Sequence, residues 1–126
     1  MNTMIIEKMT DDKGLGIFAM EKIPKGKIVH IFYGYINEIQ DKHTLQITSK
    51  LHLHVEGYGR YINHSCEPNC VVVNKFKLVA IKDIEADEEI TFDYSTTEEH
   101  LNMKCSCGSK NCSKLIKGYS DKYERE

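Results

Sequence analysis

Asn63-His64-Ser65-Cys66-Glu67-Pro68-Asn69-Cys70 joins two carboxamides, an imidazole, a proline turn and two thiols in eight residues. Its second half gains meaning from Cys105-Ser106-Cys107-Gly108-Ser109-Lys110-Asn111-Cys112, where three cysteines follow a C-x-C-x4-C spacing. Gly108 permits the sharp turn that gathers their sulfurs. A structural tetrahedral zinc site takes four ligands, so three local thiolates leave one place to fill. Cys66 and Cys70 are the remote thiols available, and either would close the site. Cys66 precedes the Glu67-Pro68 turn and is preferred. Cys70 precedes three valines and reads as a small core hydrophobe. His100 is a minor competitor. Ordinary buried thiols are the competing reading, disfavoured by the density of cysteines and the polar residues between them.

The 126 residues fit one domain with a modest core, which a structural metal would help to hold. A formal net charge of -2 and a pI near 6.3 lack the basic footprint of a general nucleic-acid binder. No apolar run is long enough to cross a bilayer, and the N-terminus lacks the apolar stretch of a signal peptide. An odd count of five cysteines, clustered near the C-terminus, suits zinc thiolates in a reducing compartment. These features predict an intracellular, soluble protein without membrane or specific nucleic-acid partners: cytoplasmic in a bacterium, nuclear or chromatin-associated in a eukaryote or an invaded host.

The pattern along the chain is β throughout. Ile5 to Glu7 predicts an edge strand, and Asp11-Asp12-Lys13-Gly14-Leu15-Gly16 a turn into Ile17-Phe18-Ala19. Lys27 to Tyr35 is apolar on both faces and predicts an interior strand. Leu51, Leu53 and Val55 alternate with His52 and His54, which predicts a strand with a solvated histidine face. Val71 to Ile81 predicts a hairpin turning at Asn74-Lys75-Phe76-Lys77. Thr97 to Met103 is a candidate for a short helix, capped by Thr97. An internal echo links Ala19-x-x-x-Ile23 with Ala80-x-x-x-Ile84: strand, tight turn, strand, each ending at a tyrosine, Tyr33 or Tyr94. Two similar β corners in one sheet system would explain it. Residues 119–126 are polar and read as a tail that frays or forms a short helix.

Four stretches, in this order, resemble the SET-domain family of protein lysine methyltransferases with its cysteine-rich post-SET segment. They are Lys13-Gly14-Leu15-Gly16-Ile17-Phe18-Ala19, Arg60-Tyr61-Ile62 with the Asn63–Cys70 run, Glu88-Glu89-Ile90-Thr91-Phe92-Asp93-Tyr94, and the Cys105–Cys112 run. The resemblance implies a mostly β, β-clip-like fold of several small sheets with a pseudoknot, plus a zinc-bound C-terminal segment. It divides the chain into a SET domain with a very short insert (1–99), a post-SET zinc segment (100–118) and a polar tail (119–126).

The implied activity is methyl transfer from S-adenosylmethionine to a lysine side-chain amine of a protein, leaving S-adenosylhomocysteine. Histone or histone-like basic tails are among the implied substrates. Lys13, Gly14, Leu15, Gly16, Arg60, Asn63, His64, Tyr94, Cys107 and Leu115 would hold the cofactor. Cys66, Cys105, Cys107 and Cys112 would hold one structural zinc ion. Tyr94 would stand at the transfer site, with Phe92 and Tyr33 beside it. Phenylalanine at 92 has no hydroxyl to anchor a water beside the amine, so transfer beyond one methyl is expected.

The chain departs from the family pattern in two places. Glu56-Gly57-Tyr58-Gly59-Arg60 stands where Gly-Asn-x-Ala-Arg is usual, and Phe32-Tyr33-Gly34-Tyr35 where Tyr-x-Gly-Glu is usual. The insert between them is short and supplies little of a peptide groove, so a partner or a homodimer using Tyr33, Tyr35 or Tyr58 is a candidate for the missing wall. The acidic residues Glu56, Glu67, Glu98 and Glu99 are read evenly as attractors of a basic tail or as solvated surface. The alternative to an enzyme is a zinc-stabilised protein-binding module of weak or no catalysis.

Overall fold

The computed structural model describes residues 4–10, 14–105 and 107–121. Twelve short strands, β1 to β12, pair into five small sheets. β1 (Ile5–Met9) and β2 (Leu15–Ala19) form a hairpin. β3 (Ile28–Ile31), β9 (Lys77–Ala80) and β8 (Cys70–Val73) form a sheet in the order β3-β9-β8. β4 (Gly34–Asn37), β6 (His52–Val55) and β5 (Thr44–Gln46) form another, with β6 central. β7 (Asn63–His64) pairs in parallel with β10 (Thr91–Phe92), and β11 (Asn102–Lys104) antiparallel with β12 (Leu115–Lys117).

The internal echo is a real structural relation. Ala19 N–H donates to the Glu88 carbonyl at 2.9 Å and its carbonyl accepts from Asp87 N–H at 2.8 Å. Ala80 repeats the pattern, donating to Lys27 at 3.0 Å and accepting from Gly26 at 2.8 Å. Where the corners meet, Ile23 and Ile84 exchange two backbone bonds, each 2.8 Å long. The six side chains at the centre of the core follow the same correspondence: Ile17 with Leu78, Ile23 with Ile84, and Val29 with Ile90, all at 0% exposure. Each corner presents one apolar stripe and buries it against the other. Each such side chain contributes about 1.5–3 kcal/mol on burial.

Three expectations change. Lys27–Tyr35 is not one interior strand: β3 ends at Ile31 and the chain restarts at Gly34 in another sheet. Both β3 and β4 are sheet edges, which leaves Ile28, Ile31, Tyr35 and Ile36 exposed. His52 and His54 are buried rather than solvated. β6 is flanked by strands on both sides, His54 stacks on Tyr35 at 4.7 Å, and its Nε2–H donates to Asn37 Oδ1 at 2.6 Å. No helix covers 97–103. A single 3-10 turn (Tyr94–Thr96), capped by the Asp93 carboxylate, gives way to β11.

The 71–81 hairpin forms as expected, its three-residue loop over 74–76 carrying Asn74 and Lys75 at positive φ. Of the polar tail, residues 122–126 lie outside the described residues. Among the described residues, no helix is long and apolar enough to cross a membrane.

Candidate active site and metal centre

The Asn63–Cys70 run divides its side chains among three tasks. Asn69 clamps the strand opposite: its Nδ2 donates to the Glu89 carbonyl at 2.8 Å, and its Oδ1 accepts from Thr91 N–H at 3.0 Å. That holds β10 parallel to β7 and leads the chain into Tyr94. Asn63 reaches the other way. Its Nδ2 donates to the Leu15 carbonyl at 3.1 Å and to Glu89 Oε2 at 2.8 Å, tying the Gly14-Leu15-Gly16 turn to this site. Gly16 allows that approach, since an added Cβ would stand 2.6 Å from Glu89 Oε2. Lys13 lies outside the described residues.

His64 is buried between Tyr94 and Cys66. A backbone N–H can only donate, so the 2.9 Å bond from Tyr94 N–H makes Nδ1 an acceptor and leaves the ring proton on Nε2, 3.4 Å from Cys66 Sγ. The Asp93 carboxylate, 3.6 Å from Nδ1, is therefore no ion pair of this tautomer; it accepts instead from Ser95 N–H at 2.9 Å and the Ser95 hydroxyl at 2.7 Å.

One candidate ligand atom from each of Cys66, Cys105, Cys107 and Cys112 lies within 4.8 Å of all the others. Zinc–sulfur bonds of about 2.3 Å in a tetrahedron put sulfurs about 3.8 Å apart. Cys66 and Cys105 are 3.8 Å apart, and Cys105 and Cys112 are 3.5 Å apart, so the donor set fits such an ion. Burial pushes the Cys105 thiol up. Burial acts upward on Cys107 too, but the Ser109 hydroxyl and nearby backbone N–H groups outweigh it and hold that thiol below its ordinary value. Cys70 is buried in β8 at 1% exposure, where burial pushes its thiol up to about 12. His100 pairs with Asp121 at 2.8 Å and is not a member of the cluster.

Two cavities meet at Tyr94. The first is lined by Phe32, Ile62, Phe92 and Tyr94, by residues 41–45, and by Glu98, Leu101 and Met103; its cavity volume is about 40 Å³, partly open to solvent. The second is lined by Arg60, Asn63, His64, Tyr94, Cys105 and Cys107 among others. Leu115 faces a further depression beside His64 and Cys66. The Tyr94 hydroxyl donates to the Ile62 carbonyl at 2.6 Å. Burial first, and the charge of Glu89 second, hold its phenol well above the usual value. Phe92 packs on Tyr94 at 5.0 Å and on Phe32 at 6.0 Å.

Tyr33, expected beside Tyr94, is 54% exposed and does not line the first cavity; Phe32 does. The two departures from the family pattern form one packing unit. An added Cβ at Gly59 would stand 2.7 Å from both Phe32 Cδ1 and Val55 Cγ1. Gly57 has φ +72, and the Tyr33 hydroxyl occupies the space its Cβ would take. Glycine at 59 thus accommodates the phenylalanine at 32, and glycine at 57 the tyrosine at 33.

Sequence reasoning missed Glu98 as a lining residue. Its carboxyl is 3% exposed and accepts from Gln40 Nε2 at 3.1 Å, Gln46 N–H at 3.0 Å and the Thr97 hydroxyl at 3.1 Å. Burial lifts it to about 7 against the opposing pull of those donors. Glu56 and Glu67 are exposed as a solvated face would be, and Glu99 is intermediate. Nothing local separates Glu98 from Glu99; only the fold of the 40–46 segment over it does.

The SET domain family model matches residues 14–95. A Schizosaccharomyces pombe protein named as a histone-lysine N-methyltransferase, H3 lysine-4 specific, is 35% identical over 123 residues, covering 78% of this chain and 13% of its own length. The Homo sapiens histone-lysine N-methyltransferase SETMAR is 30% identical over 153 residues, covering 85% of this chain and 22% of its own. This chain thus spans less than a quarter of these relatives. A crystal structure of KRYPTONITE in complex with mCHH DNA, H3(1-15) peptide and SAH superposes with a TM-score of 0.71 at 25% identity, covering 89% of this chain and 29% of that one. On the matched residues 14–95, with the site geometry in agreement, this chain belongs to the SET-domain family.

Proposed function

We propose that this chain is a protein-lysine N-methyltransferase that uses S-adenosylmethionine. The observation that carries the reading is Tyr94 lining two cavities at once. One is bordered by the Asn63-His64 pair and suits the cofactor. The other is aromatic and suits an extended lysine side chain.

The bound cofactor supplies an electrophilic methyl group on a sulfonium. The protein must supply a neutral amine aligned with it, although free lysine has a pKa near 10.4. Phe32, Phe92 and Ile62 wall the first cavity with apolar surface, which disfavours the ammonium. Tyr94 keeps its proton at neutral pH and acts as an orienting donor rather than a base. Asn63 anchors the Leu15 carbonyl, and Arg60, Asn63, His64 and Cys107 border the cofactor side. Gly14 and Gly16 bring backbone close, and Leu115 belongs to the cover near His64.

The ion in the thiolate cluster is zinc in this reading, held by Cys66, Cys105, Cys107 and Cys112. Four sulfur ligands leave no position for water, so it closes the C-terminal segment and takes no chemical step. Residues 1–99 act as the catalytic body and 100–118 as the closing segment. The relatives' names support a histone or other basic tail as substrate. A second copy is proposed to complete the groove along the exposed edges at Ile31, Tyr35 and Ile36, which sedimentation would detect as a dimer.

The test is transfer of radiolabel from S-adenosylmethionine to core histones and cell lysates by wild type, Tyr94→Phe and Asn63→Ala. Label that depends on both residues is expected. Cofactor binding with no label in any extract would replace the enzyme by a binding module.

A further inference from the structure

We propose that Glu98 is the acceptor for the target ammonium: its carboxylate pairs with the lysine cation in the cavity beside Tyr94 and takes the proton that must leave before the nitrogen can attack. The inference rests on the methyltransferase reading.

Glu98 is a nearly fully buried carboxyl lining the same cavity as Phe32, Ile62, Phe92 and Tyr94. Burying a carboxylate is costly unless a cation or donors compensate. Donors are present, but among the described residues no neighbouring cation contributes to its environment. Two carboxylate oxygens offer about four acceptor sites. Gln46 N–H and the Thr97 hydroxyl occupy Oε2, while among the described residues Oε1 takes only Gln40 Nε2. One site therefore remains on Oε1. Gln40 is itself held by the His100 carbonyl at 3.0 Å, so the carboxyl is fixed in orientation.

The other charged groups are committed elsewhere or border the cavity at other points. Asp41, Lys42, His43 and Arg60 line it. Arg60 donates to the Val55 carbonyl, Asp41 approaches His54, and Glu99 and Asp121 bond to Gln46 and to the His100–Leu101 segment. Tyr94 remains protonated and offers no proton acceptor at neutral pH. Glu98, lifted towards neutrality by burial, exchanges a proton there readily.

The step balances without a further reagent. A lysine N–H bond breaks, an O–H bond forms on Glu98, and the electron pair stays on nitrogen as the nucleophile's lone pair. Glu98 returns the proton to water before the next transfer.

The test follows the Glu98 carboxyl carbon by NMR in the full chain labelled with 13C-glutamate, with and without S-adenosylhomocysteine, assigned with Glu98→Gln. The probes are n-butylammonium, which has the end of a lysine side chain, and n-butanol, which has its shape without its charge. A titration near neutrality is expected, displaced downward by about one pH unit or more by n-butylammonium and not by n-butanol. A midpoint near the ordinary glutamate value of about 4.3, or equal displacement by both probes, overturns the proposal. Gln40→Ala removes the Gln40 Nε2 donor from Oε1 and is expected to raise the midpoint; an unmoved midpoint also counts against it. With core histones as acceptor, Glu98→Gln is expected to lose at least about tenfold in rate near pH 7 while S-adenosylhomocysteine affinity holds. Equal loss of both makes Glu98 merely structural. Failure of the methyltransferase reading would show separately, as no label transferred by wild type to core histones or any extract.

Discussion

His64 Nδ1 accepts the backbone N–H of Tyr94 at 2.9 Å, and the same ring turns its Nε2–H towards Cys66 Sγ at 3.4 Å. One imidazole thus joins the thiolate cluster to the residue on which both cavities meet. Loosening the cluster frees the ring, and freeing the ring releases the backbone of Tyr94.

His64→Ala leaves the Tyr94 N–H without its acceptor. An unsatisfied buried donor costs about 1–3 kcal/mol. Denaturant unfolding should show a loss of that size, and calorimetry should show weaker S-adenosylhomocysteine binding. Wild-type values for both would refute the coupling.

Removal of the metal proposed for the cluster should act on the same path. Binding energy at a structural thiolate site is folding energy for the segment that carries it. Chelation is expected to expose β11 and β12 to amide exchange and to weaken cofactor binding. Unchanged cofactor affinity after verified metal loss would separate the two.

Gly59→Ala inserts a methyl group where Phe32 and Val55 leave no room. Overpacking of this kind costs about 1–3 kcal/mol, and a fall in melting temperature of several degrees would report it. Phe32→Leu in the same background should recover part of the loss. Absence of recovery would show that the strain lies elsewhere.

Phe92→Tyr adds a hydroxyl to the wall of the aromatic cavity beside Tyr94. The wild type is expected to carry substrate past one methyl and the variant to stop sooner. Product mass spectrometry decides; if both stop at one methyl, position 92 does not set the number.

Glu98 gives stability a pH signature. Its folded value is raised from 4.5 to about 7, so the folded state binds more protons than the unfolded one between those limits. Stability then falls as pH rises through that window and levels off above it. Glu98→Gln should lack this component. Denaturant midpoints of the two proteins from pH 4 to 8 should diverge across the window; parallel curves would contradict the shift.

The legible parts of the site were those built from short spacings. C-x-C-x4-C predicts a local nest of thiolates whatever surrounds it, and the paired alanine corners announced a repeated β unit. The illegible parts depended on what covers a residue. His52 and His54 alternate as an exposed face would, yet β4 and β5 enclose their strand. Lys27–Tyr35 reads as one apolar run, yet it divides between two sheets as edge strands.

The sequence by itself determined the family, the β character and the chemical inventory: five thiols, the Asn63-His64 pair and Tyr94. These are properties of residue type and spacing, which the chain carries before it folds. Only the tertiary structure decided that Cys66 joins the cluster while Cys70 enters the core, that Phe32 rather than Tyr33 faces the cavity, and that Glu98 is buried while Glu99 is not. Each of those choices lies between near neighbours of similar chemistry. They are separated by which distant segment packs over them, and that is a property of contacts across the chain rather than of local order along it.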